Sequence, residues 1–597
     1  MLKPLALVLM LSAAPVMLGV AAAHAKPHAV AARSPQAALD GIVKAYDAWV
    51  LSEDPFSAEG EGDRSARSKM PDVTLAADHR REARLKMFKA ELGRIDPKAL
   101  TAEGRLNRSF LLRVLDVDLQ SYAFDEGRMP FNSDGGFNAT MGYVASGTQI
   151  DTKADGEAWI ARLEAIPKYY ADNIDNARRG IATGFTQPKI TVEQVIAQAK
   201  RQADAPVDTD VLMGPFASMP AAIPAADQAA LKARALEVIR TKVRPAQRGF
   251  VTFLETEYLP KARPQLGAST LPNGRAYYSW LVRRYTTTDI TPDEVHALGL
   301  KEVARIRAEM DATIAETGFK GTFPEFLAYL RTDPKFYATS RQQLLEKASE
   351  IAKRIDDKLP HYFATLPRLT YGVRPVPADI EDGYTTGRYF GGSPALGIAG
   401  GYMVNTSHLD QRALYELPSL TLHEAVPGHH LQIALGQELV GVPAFRRNAN
   451  MTAFTEGWGL YSEKLGVEMG IYRDPYERFG RLSYEMWRAC RLVADTGIHW
   501  LGWSLEEARA CFTDNTALSP KNIEVELARY ISWPGQADAY KIGEIKLWSL
   551  RHKAEAALGP KSDIRRFHDA VLLAGPLPLD LLEERIDAWI VTEKARK

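Results

Sequence analysis

The residues best suited to chemistry lie in the segment HEAVPGHH, residues 423–430. In the zinc-protease motif H-E-x-x-H, two histidines one helical turn apart bind a metal, and the first glutamate is the base. Here Pro427 stands where the second histidine would be, and the next histidines are His429 and His430. The segment is therefore either a rearranged metal site or a helix that ends at Val426 and leaves its histidines in a turn.

The spacing of the histidines decides which geometry could bind a metal. In a regular helix His429 faces away from His423, whereas a residue seven positions on shares its face but lies roughly 10 Å farther along. Pro427 breaks the helical hydrogen bonding, and Gly428 permits unusual backbone angles. If this pair bulges out and absorbs two residues, His429 takes the place of the second histidine. We therefore predict His423 and His429 as metal ligands.

A third ligand is predicted in TAFTEGWGLYSEKLG, residues 452–466. Glu456 lies among apolar residues, where an acid is costly unless it is paired or bound to metal. Catalytic zinc commonly takes two histidines, one carboxylate and a water, so Glu424 remains free as the general base. Glu463, two turns further on the same face, is the second candidate for the ligand; its alternative role is an ion pair near Lys464.

The segment RACRLVADTGIHWLGW, residues 488–503, has polar residues at intervals of three and four. Arg491, Asp495 and His499 therefore share a helix face with Arg488. We predict that Arg491 binds a substrate carboxylate or supports the site. His499, oriented by Asp495, is predicted to contact the substrate or the developing oxyanion. The alternative is a structural ladder of ion pairs, in which Asp495 occupies the arginine.

Two further segments supply candidates for contacts with the substrate. Tyr530 and Tyr540 flank a Pro-Gly break, and a tyrosine hydroxyl beside zinc can stabilise a tetrahedral intermediate, although such tyrosines often only pack. The segment GGYMVN, residues 400–405, is predicted to be an edge strand that pairs with an extended peptide. Tyr402 and Asn405 are its candidate substrate-binding residues.

Most of the chain has the start and stop signals of helices. One example runs from the Thr-Pro-Asp-Glu start at Thr291 to Gly318, with apolar residues three and four apart. Strand patterns are confined to residues 368–377 and 400–407. The sequence therefore predicts a mainly α fold with a small β-sheet next to the metal site.

The N-terminal residues have the pattern of a signal peptide. An apolar run from Leu5 to Val20 precedes Ala23-His24-Ala25, which fits the small-x-small cleavage rule. We predict a signal peptide at 1–25, an N-terminal helical region at 26–270 and a metal-site catalytic region at 271–597, the last two forming one continuous fold. Later apolar runs are too short to span a bilayer, so no stable membrane span is expected after signal removal.

Charge and cysteine content limit the classes of protein to which the chain could belong. Lys plus Arg and Asp plus Glu number 74 each, which gives no electrostatic case for nucleic acid or an anionic membrane. The two cysteines, Cys490 and Cys511, flank a predicted turn between two helices. An oxidising compartment would permit a disulfide between them, and two separately buried thiols are the alternative.

Taken together, these motifs resemble the domain-of-unknown-function 885 family, with its pattern H-E-x-x-P-G-H-x-x-Q, then E-G-W-x-x-Y, an arginine-rich RLVxDTG helix and PGQxxxYxxG. The matching residues are His423, Glu424, Pro427, Gly428, His429, Gln432, Glu456, Gly457, Trp458, Tyr461, Arg491, Asp495, His499, Gln536, Tyr540 and Gly543. The resemblance implies a large helical, zinc-metallopeptidase-like fold with a deep cleft. It also favours His429 over His430 as the ligand.

These observations predict an exported, periplasmic or secreted zinc-dependent hydrolase of peptide or amide bonds. Its substrate would be a peptide or a small amide-linked molecule, attacked by water that zinc activates and Glu424 deprotonates. One alternative is a non-catalytic periplasmic protein that binds a metal or a peptide. Another is an amidase that acts on cell-wall peptides.

Overall fold

The computed structural model describes residues 34–596 apart from 134, 378–380, 382–383 and 395–396. The predicted signal peptide at 1–25 lies outside the described residues. Within them the chain forms 24 α-helices and three short strands, which confirms the predicted mainly α fold with a small sheet.

The first twelve helices run from the N-terminal region to the middle of the chain. They are α1 (Pro35–Glu53), α2 (Pro55–Gly60), α3 (Leu75–Gly93), α4 (Ala102–Phe124), α5 (Phe137–Gly147), α6 (Lys153–Thr183), α7 (Lys189–Asp204), α8 (Ala225–Val238), α9 (Arg244–Phe253), α10 (Gly274–Thr286), α11 (Pro292–Thr317) and α12 (Phe323–Thr332).

The remaining helices include all those that position the predicted site. They are α13 (Arg341–Asp356), α14 (Leu359–Tyr362), α15 (Leu417–Glu424), α16 (His429–Gln437), α17 (Ala444–Arg447), α18 (Thr452–Glu468), α19 (Pro475–Thr496), α20 (Leu505–Asn515), α21 (Pro520–Ser532), α22 (Ala539–Leu558), α23 (Ile564–Leu572) and α24 (Leu579–Ala595).

The long helices begin and end at the signals read from the sequence. The Thr291 side chain accepts a hydrogen bond from the Glu294 backbone, and Glu294 caps Thr291 in return. Gly318 ends α11 with a φ of 75°, a conformation that glycine adopts without strain. Helix α11 packs closely along α19. At the contact, a Cβ on Gly299 would lie only 2.8 Å from the Leu492 Cβ.

The three strands form one sheet just before α15. They are β1 (Tyr371–Pro375), β2 (Gly387–Phe390) and β3 (Gly400–Val404), in the order β1-β3-β2. Strand β3 pairs with β1 in parallel and with β2 antiparallel. The prediction that GGYMVN is an edge strand is therefore wrong, since β3 is the central strand and both of its edges are already paired.

Apolar side chains from both predicted regions meet in the largest core. This core includes Phe110 and Phe185 from the N-terminal region together with residues as distant as Ile590. A second core lies wholly between Phe131 and Tyr258, inside the N-terminal region. The boundary at residue 270 stays a prediction, but the shared core joins the sequences on its two sides.

A disulfide links α19 to α20. Cys490 and Cys511 are bonded, with their Cα atoms 5.7 Å apart, which resolves the alternatives left open by the sequence. Between these helices, Gly497–Leu501 forms a π-helical turn that directly continues α19. None of the helices in the described part of the chain has the length and apolar character needed to cross a membrane.

Candidate metal centre

The HEAVPGHH segment folds as two short helices joined by a tight turn. Helix α15 ends at Glu424, and α16 begins at His429. The Gly428 N–H donates to the Leu422 carbonyl over 3.0 Å, and a Cβ at Gly428 would lie 1.9 Å from the His423 oxygen. Only glycine fits this close approach. The predicted bulge within one helix is wrong in form, because the helix ends and a second one starts.

The new helix nevertheless turns His429 toward His423. The two imidazole rings lie nearly perpendicular, with centroids 4.6 Å apart. Glu456 Oε2 lies 3.4 Å from His423 Nε2 and 3.5 Å from His429 Nε2. One ligand atom from each of these three residues falls within 4.8 Å of the others. The structure thus brings together the three predicted ligands, which we call the metal-site triad.

The triad is recessed but open on one side. His423 is 3% exposed, whereas the Glu456 side chain is 21% exposed. A Cβ at Gly459 would lie 2.5 Å from the His423 ring, so α18 approaches that ring at a glycine. The Trp458 indole N–H donates to the Pro427 carbonyl over 2.8 Å and fixes the turn against the same helix.

Glu463, the second candidate for the ligand, contacts the opposite nitrogen of His423. Its Oε1 lies 2.8 Å from His423 Nδ1 and 3.1 Å from Arg488 Nη2. Burial lowers the pKa of His423, but hydrogen bonds to Glu456 and Glu463 outweigh it and raise that pKa to about 9. Glu463 therefore orients the histidine from behind, and its predicted alternative pairing with Lys464 is replaced by Arg488.

Glu424 lies outside the triad, as expected for a base. Its Oε2 accepts a hydrogen bond from the Tyr389 backbone N–H over 2.8 Å, which ties the carboxylate to strand β2. The residue is largely buried, at 9% exposed. The charge of Glu424 acts on the neighbouring His423, so the carboxylate lies beside the triad.

His430 has a separate structural environment. Its Nδ1 lies 3.0 Å from the Tyr389 hydroxyl, and its Nε2 lies 3.1 Å from the Leu369 carbonyl. Burial lowers the pKa of His430 to about 4, so the ring stays neutral between the sheet and α16. The preference for His429 over His430 agrees with this arrangement.

Arg491 is paired with a residue that sequence reasoning did not select. Its Nη2 lies 3.0 Å from Glu526 Oε2, and its Nε donates to the Tyr530 hydroxyl over 2.9 Å. That hydroxyl donates in turn to Glu526 over 2.6 Å, so Tyr530 is not free to act on a substrate. Asp495, which the sequence offered as the alternative partner of Arg491, forms no ion pair with it among the described residues.

The predicted Asp495–His499 relation is wrong. Asp495 accepts hydrogen bonds from the Tyr278 hydroxyl over 2.6 Å and from the Gly535 N–H over 2.9 Å. His499 accepts the Ala268 N–H at Nδ1 over 2.9 Å, and its Nε2 donates to the Tyr530 carbonyl over 2.9 Å. His499 lies in the π-helical turn at the end of α19, where backbone groups of other segments bind its ring in place of Asp495.

Both ring nitrogens of His499 are thus occupied by backbone groups. Burial lowers its pKa to about 3, so it is neutral. These contacts assign His499 a structural role and remove it from the candidates for oxyanion stabilisation.

Tyr402 and Asn405 are structural residues as well. The fully buried Tyr402 hydroxyl lies 3.2 Å from the Thr421 hydroxyl on α15. The Asn405 amide donates to the Glu381 carbonyl over 2.8 Å and the Tyr384 carbonyl over 3.1 Å. These groups hold the sheet and its loop together, and the predicted substrate contacts of Tyr402 and Asn405 stay a prediction that these bonds do not support.

Tyr540 is linked to the triad indirectly, through a contact between α22 and α18. The Arg491 guanidinium is centred 4.2 Å from the Tyr540 ring. One turn further along α22, Gly543 touches α18 so closely that a Cβ at Gly457 would lie 2.6 Å from the Gly543 Cα. Gly457 directly follows Glu456, so Tyr540 stays a candidate for the site.

The fold and the site define a mainly helical protein with a recessed cluster of two histidines and one carboxylate. A family model described as "bacterial protein of unknown function (DUF885)" matches residues 55–586. This chain belongs to that family.

Two solved structures share the fold over nearly the whole chain. The "putative lipoprotein" of Colwellia psychrerythraea is 27% identical, with a TM-score of 0.88 over 94% of this chain and 100% of that one. A "putative lipoprotein of unknown function" from Shewanella oneidensis is 19% identical, with a TM-score of 0.69 over 93% of this chain and 99% of its own. At 19% identity, the similarity to the Shewanella structure shows only that the fold is shared.

A partial likeness to a curated protein also exists. Over 121 residues, 20% of this chain, the sequence is 28% identical to the type III pantothenate kinase of Burkholderia cenocepacia (strain HI2424). The match spans 38% of the kinase, so the chain covers less than half the length of that curated relative.

Proposed function

We propose that this protein is a zinc-dependent hydrolase of peptide or amide bonds. The observation that carries the proposal is the convergence of His423, His429 and Glu456, with Glu424 beside them and outside the set. Two imidazoles and a carboxylate form a common ligand set of catalytic zinc, in which a water completes the coordination.

The chemistry of the donor set supports a catalytic site more than a structural one. Structural zinc is usually closed by four protein ligands, whereas the described residues contribute three to this group. The partly exposed Glu456 side chain leaves the group open to solvent. Metal-binding histidines commonly donate their second nitrogen to a carboxylate, and Glu463 is placed for that contact with His423.

The residues of the chain have separate roles in this proposal. Bound zinc would activate a water and polarise the scissile carbonyl. Glu424 takes the proton from the attacking water and delivers it to the leaving amine. The Tyr389 N–H holds the Glu424 carboxylate in place, and Glu463 keeps His423 Nε2 directed at the triad.

Export is proposed on three grounds. The N-terminal sequence has the pattern of a signal peptide, and the Colwellia and Shewanella proteins are both described as "putative lipoprotein". The disulfide between Cys490 and Cys511 suits an oxidising compartment. We propose that the protein acts in the periplasm or outside the cell, on peptides or small amide-linked molecules.

The first prediction tests the chemistry. Glu424→Gln keeps the shape of the side chain but removes the base, so we expect zinc content and melting temperature to be retained. Hydrolysis should fall by at least about 10²-fold, because general acid-base catalysis typically contributes about 10² to 10⁴. Mass spectrometry measures the cleavage of a mixed peptide library, and elemental analysis measures the zinc content.

Glu584→Gln, an exposed change on α24, is the matched control and should cleave like the wild type. Undiminished cleavage by Glu424→Gln would remove Glu424 from the mechanism. A zinc-loaded wild type that cleaves nothing would favour the non-catalytic binding protein, and cleavage restricted to cell-wall peptides would favour the amidase.

A further inference from the structure

Two buried arginines share one carboxylate on the helices that lie behind the metal-site triad. Arg491 Nη2 and Arg529 Nη2 lie 3.0 Å and 3.5 Å from the same Glu526 oxygen. The Tyr530 hydroxyl donates a hydrogen bond to the same carboxylate. Two guanidinium groups thus share one carboxylate. We call Arg491, Arg529, Glu526 and the covering Tyr540 the arginine cluster.

Two donors of the arginine cluster have no acceptor. Arg491 Nη1 and Arg529 Nε are buried and make no hydrogen bond, and Arg529 Nη2 has only its long contact with Glu526. A buried donor without a partner is costly, and more so when it belongs to a charged group. The Tyr540 ring covers both arginines, with its centroid 4.2 Å and 5.8 Å from the two guanidinium carbons. The cluster is therefore built to accept a further negatively charged group.

The arginine cluster is joined to the triad by two helices. On α19, Arg488 lies one turn before Arg491 and contacts Glu463, which contacts His423. On α22, Tyr540 lies one turn, about 5 Å, before Gly543, where the backbone meets α18 beside Glu456. The Arg529 side chain is 15% exposed against 4% for Arg491, so Arg529 forms the accessible side of the cluster.

The nearest additional carboxyl groups are held by partners outside the arginine cluster. Asp495 is held by Tyr278 and Gly535, and Asp538 lies 3.5 Å from the same Tyr278 hydroxyl. Among the described residues, neither acid forms an ion pair with Arg491 or Arg529. Burial raises the pKa of Asp495 to about 7, although the hydrogen bonds from Tyr278 and Gly535 and the nearby charge of Arg529 act to lower it.

We infer that the arginine cluster binds a carboxylate of the substrate while the neighbouring amide bond lies at the triad. One surplus positive charge matches the single charge of a carboxylate, and planar guanidinium groups donate paired hydrogen bonds to it. This inference rests on the proposed hydrolase function. It narrows the substrate to peptides or amides with either a free C terminus or an acidic side chain near the cleaved bond.

The test measures binding in the zinc-loaded Glu424→Gln protein, which is expected not to consume its ligand. Three acetylated tetrapeptide libraries of otherwise equal composition are compared. They have a free C-terminal acid, a C-terminal amide, or a C-terminal amide with glutamate as the last residue. Peptides retained after rapid filtration are counted by mass spectrometry.

We expect at least about tenfold greater retention of the free acid, or of the glutamate library, over the neutral amide. The first result assigns a terminal carboxylate, and the second an acidic side chain. Arg529→Gln, added to Glu424→Gln, should reduce the preference to within about twofold while zinc content stays unchanged. The matched control Arg478→Gln, a surface change on α19 paired with Glu316, should keep the preference.

Equal retention of the three libraries, including retention of none, overturns the inference. So does a full preference in the Arg529→Gln protein. Failure of the proposed function is a separate result, since it is measured as zinc content and peptide cleavage in the wild type.

Discussion

At the scale of single residues, His423 is held at both ring nitrogens. Nε2 faces Glu456, and Nδ1 faces Glu463, whose other contact is Arg488. A carboxylate at Nδ1 keeps the proton on that nitrogen and leaves the Nε2 lone pair for a metal. Glu463 is therefore a positioning residue, one that the sequence alone offered as a ligand.

A prediction follows for Glu463→Gln. An amide orients the ring less strongly than a carboxylate, so we expect the zinc affinity to fall by about 10 to 100-fold. A chelator competition titration measures that affinity. Glu468→Gln, on the same helix but paired with Arg551, is the control and should bind zinc like the wild type. Unchanged zinc affinity in Glu463→Gln would show that the carboxylate does not support the metal. Complete loss of zinc would instead indicate that Glu463 is itself a ligand.

Local spacing was enough to predict some residues but not others. Glu456 and His429 stand out because a buried acid and a histidine after Pro-Gly are unusual within their own short segments. The partner of Arg491 could not be read in this way, since Glu526 lies 35 residues away on another helix. Asp495 looked like the partner only because four residues separate the two on one helix.

At the scale of elements, the turn between α15 and α16 creates the site. Pro427 and Gly428 indicated a break, but a bulge within a helix and a pair of helices both begin with the same lost hydrogen bond. The outcome depends on α18, because Trp458 donates to the Pro427 carbonyl and its helix packs against the turn. That contact spans 31 residues and has no signature in the local sequence.

Gly428→Ala tests this turn. The added Cβ would lie 1.9 Å from the His423 carbonyl oxygen, a backbone atom that cannot move aside easily. We expect the free energy of unfolding to fall by about 1–3 kcal/mol or more, and zinc binding to be lost or strongly weakened. Chemical denaturation and elemental analysis measure the two effects.

The matched control is Gly436→Ala on α16, where a Cβ meets nothing within 4 Å. Alanine in a helix interior should leave the stability unchanged or raise it by up to about 1 kcal/mol, with zinc retained. Equal behaviour of the two variants would mean that the close approach at Gly428 does not define the site.

The order of the strands could not be predicted from the local sequence for a related reason. Residues 400–405 have alternation and glycines, which mark a strand without saying which edges are paired. The structure places β3 between β1 and β2, and a Cβ at Gly400 would lie 2.6 Å from the Tyr389 hydroxyl on β2. Gly400 therefore serves close packing inside the sheet and not the approach of a peptide.

At the scale of the whole molecule, the triad depends on distant parts of the chain. It is built on α15, α16 and α18 and is supported by Arg488 on α19 through Glu463, while strand β2 holds the adjacent Glu424. The mainly α class was predictable because caps and apolar periodicity recur along the chain. The packing of the N-terminal region against the largest core was not, since it joins residues hundreds of positions apart.

The measurement that tests the central claim most directly is the zinc content of three purified proteins: the wild type, His429→Ala and His430→Ala. We predict about one zinc per chain in the wild type, loss of zinc in His429→Ala, and retention in His430→Ala, whose ring is occupied by Tyr389 and Leu369. A wild type without metal after dialysis against zinc, or a loaded His429→Ala beside an empty His430→Ala, would contradict the assignment.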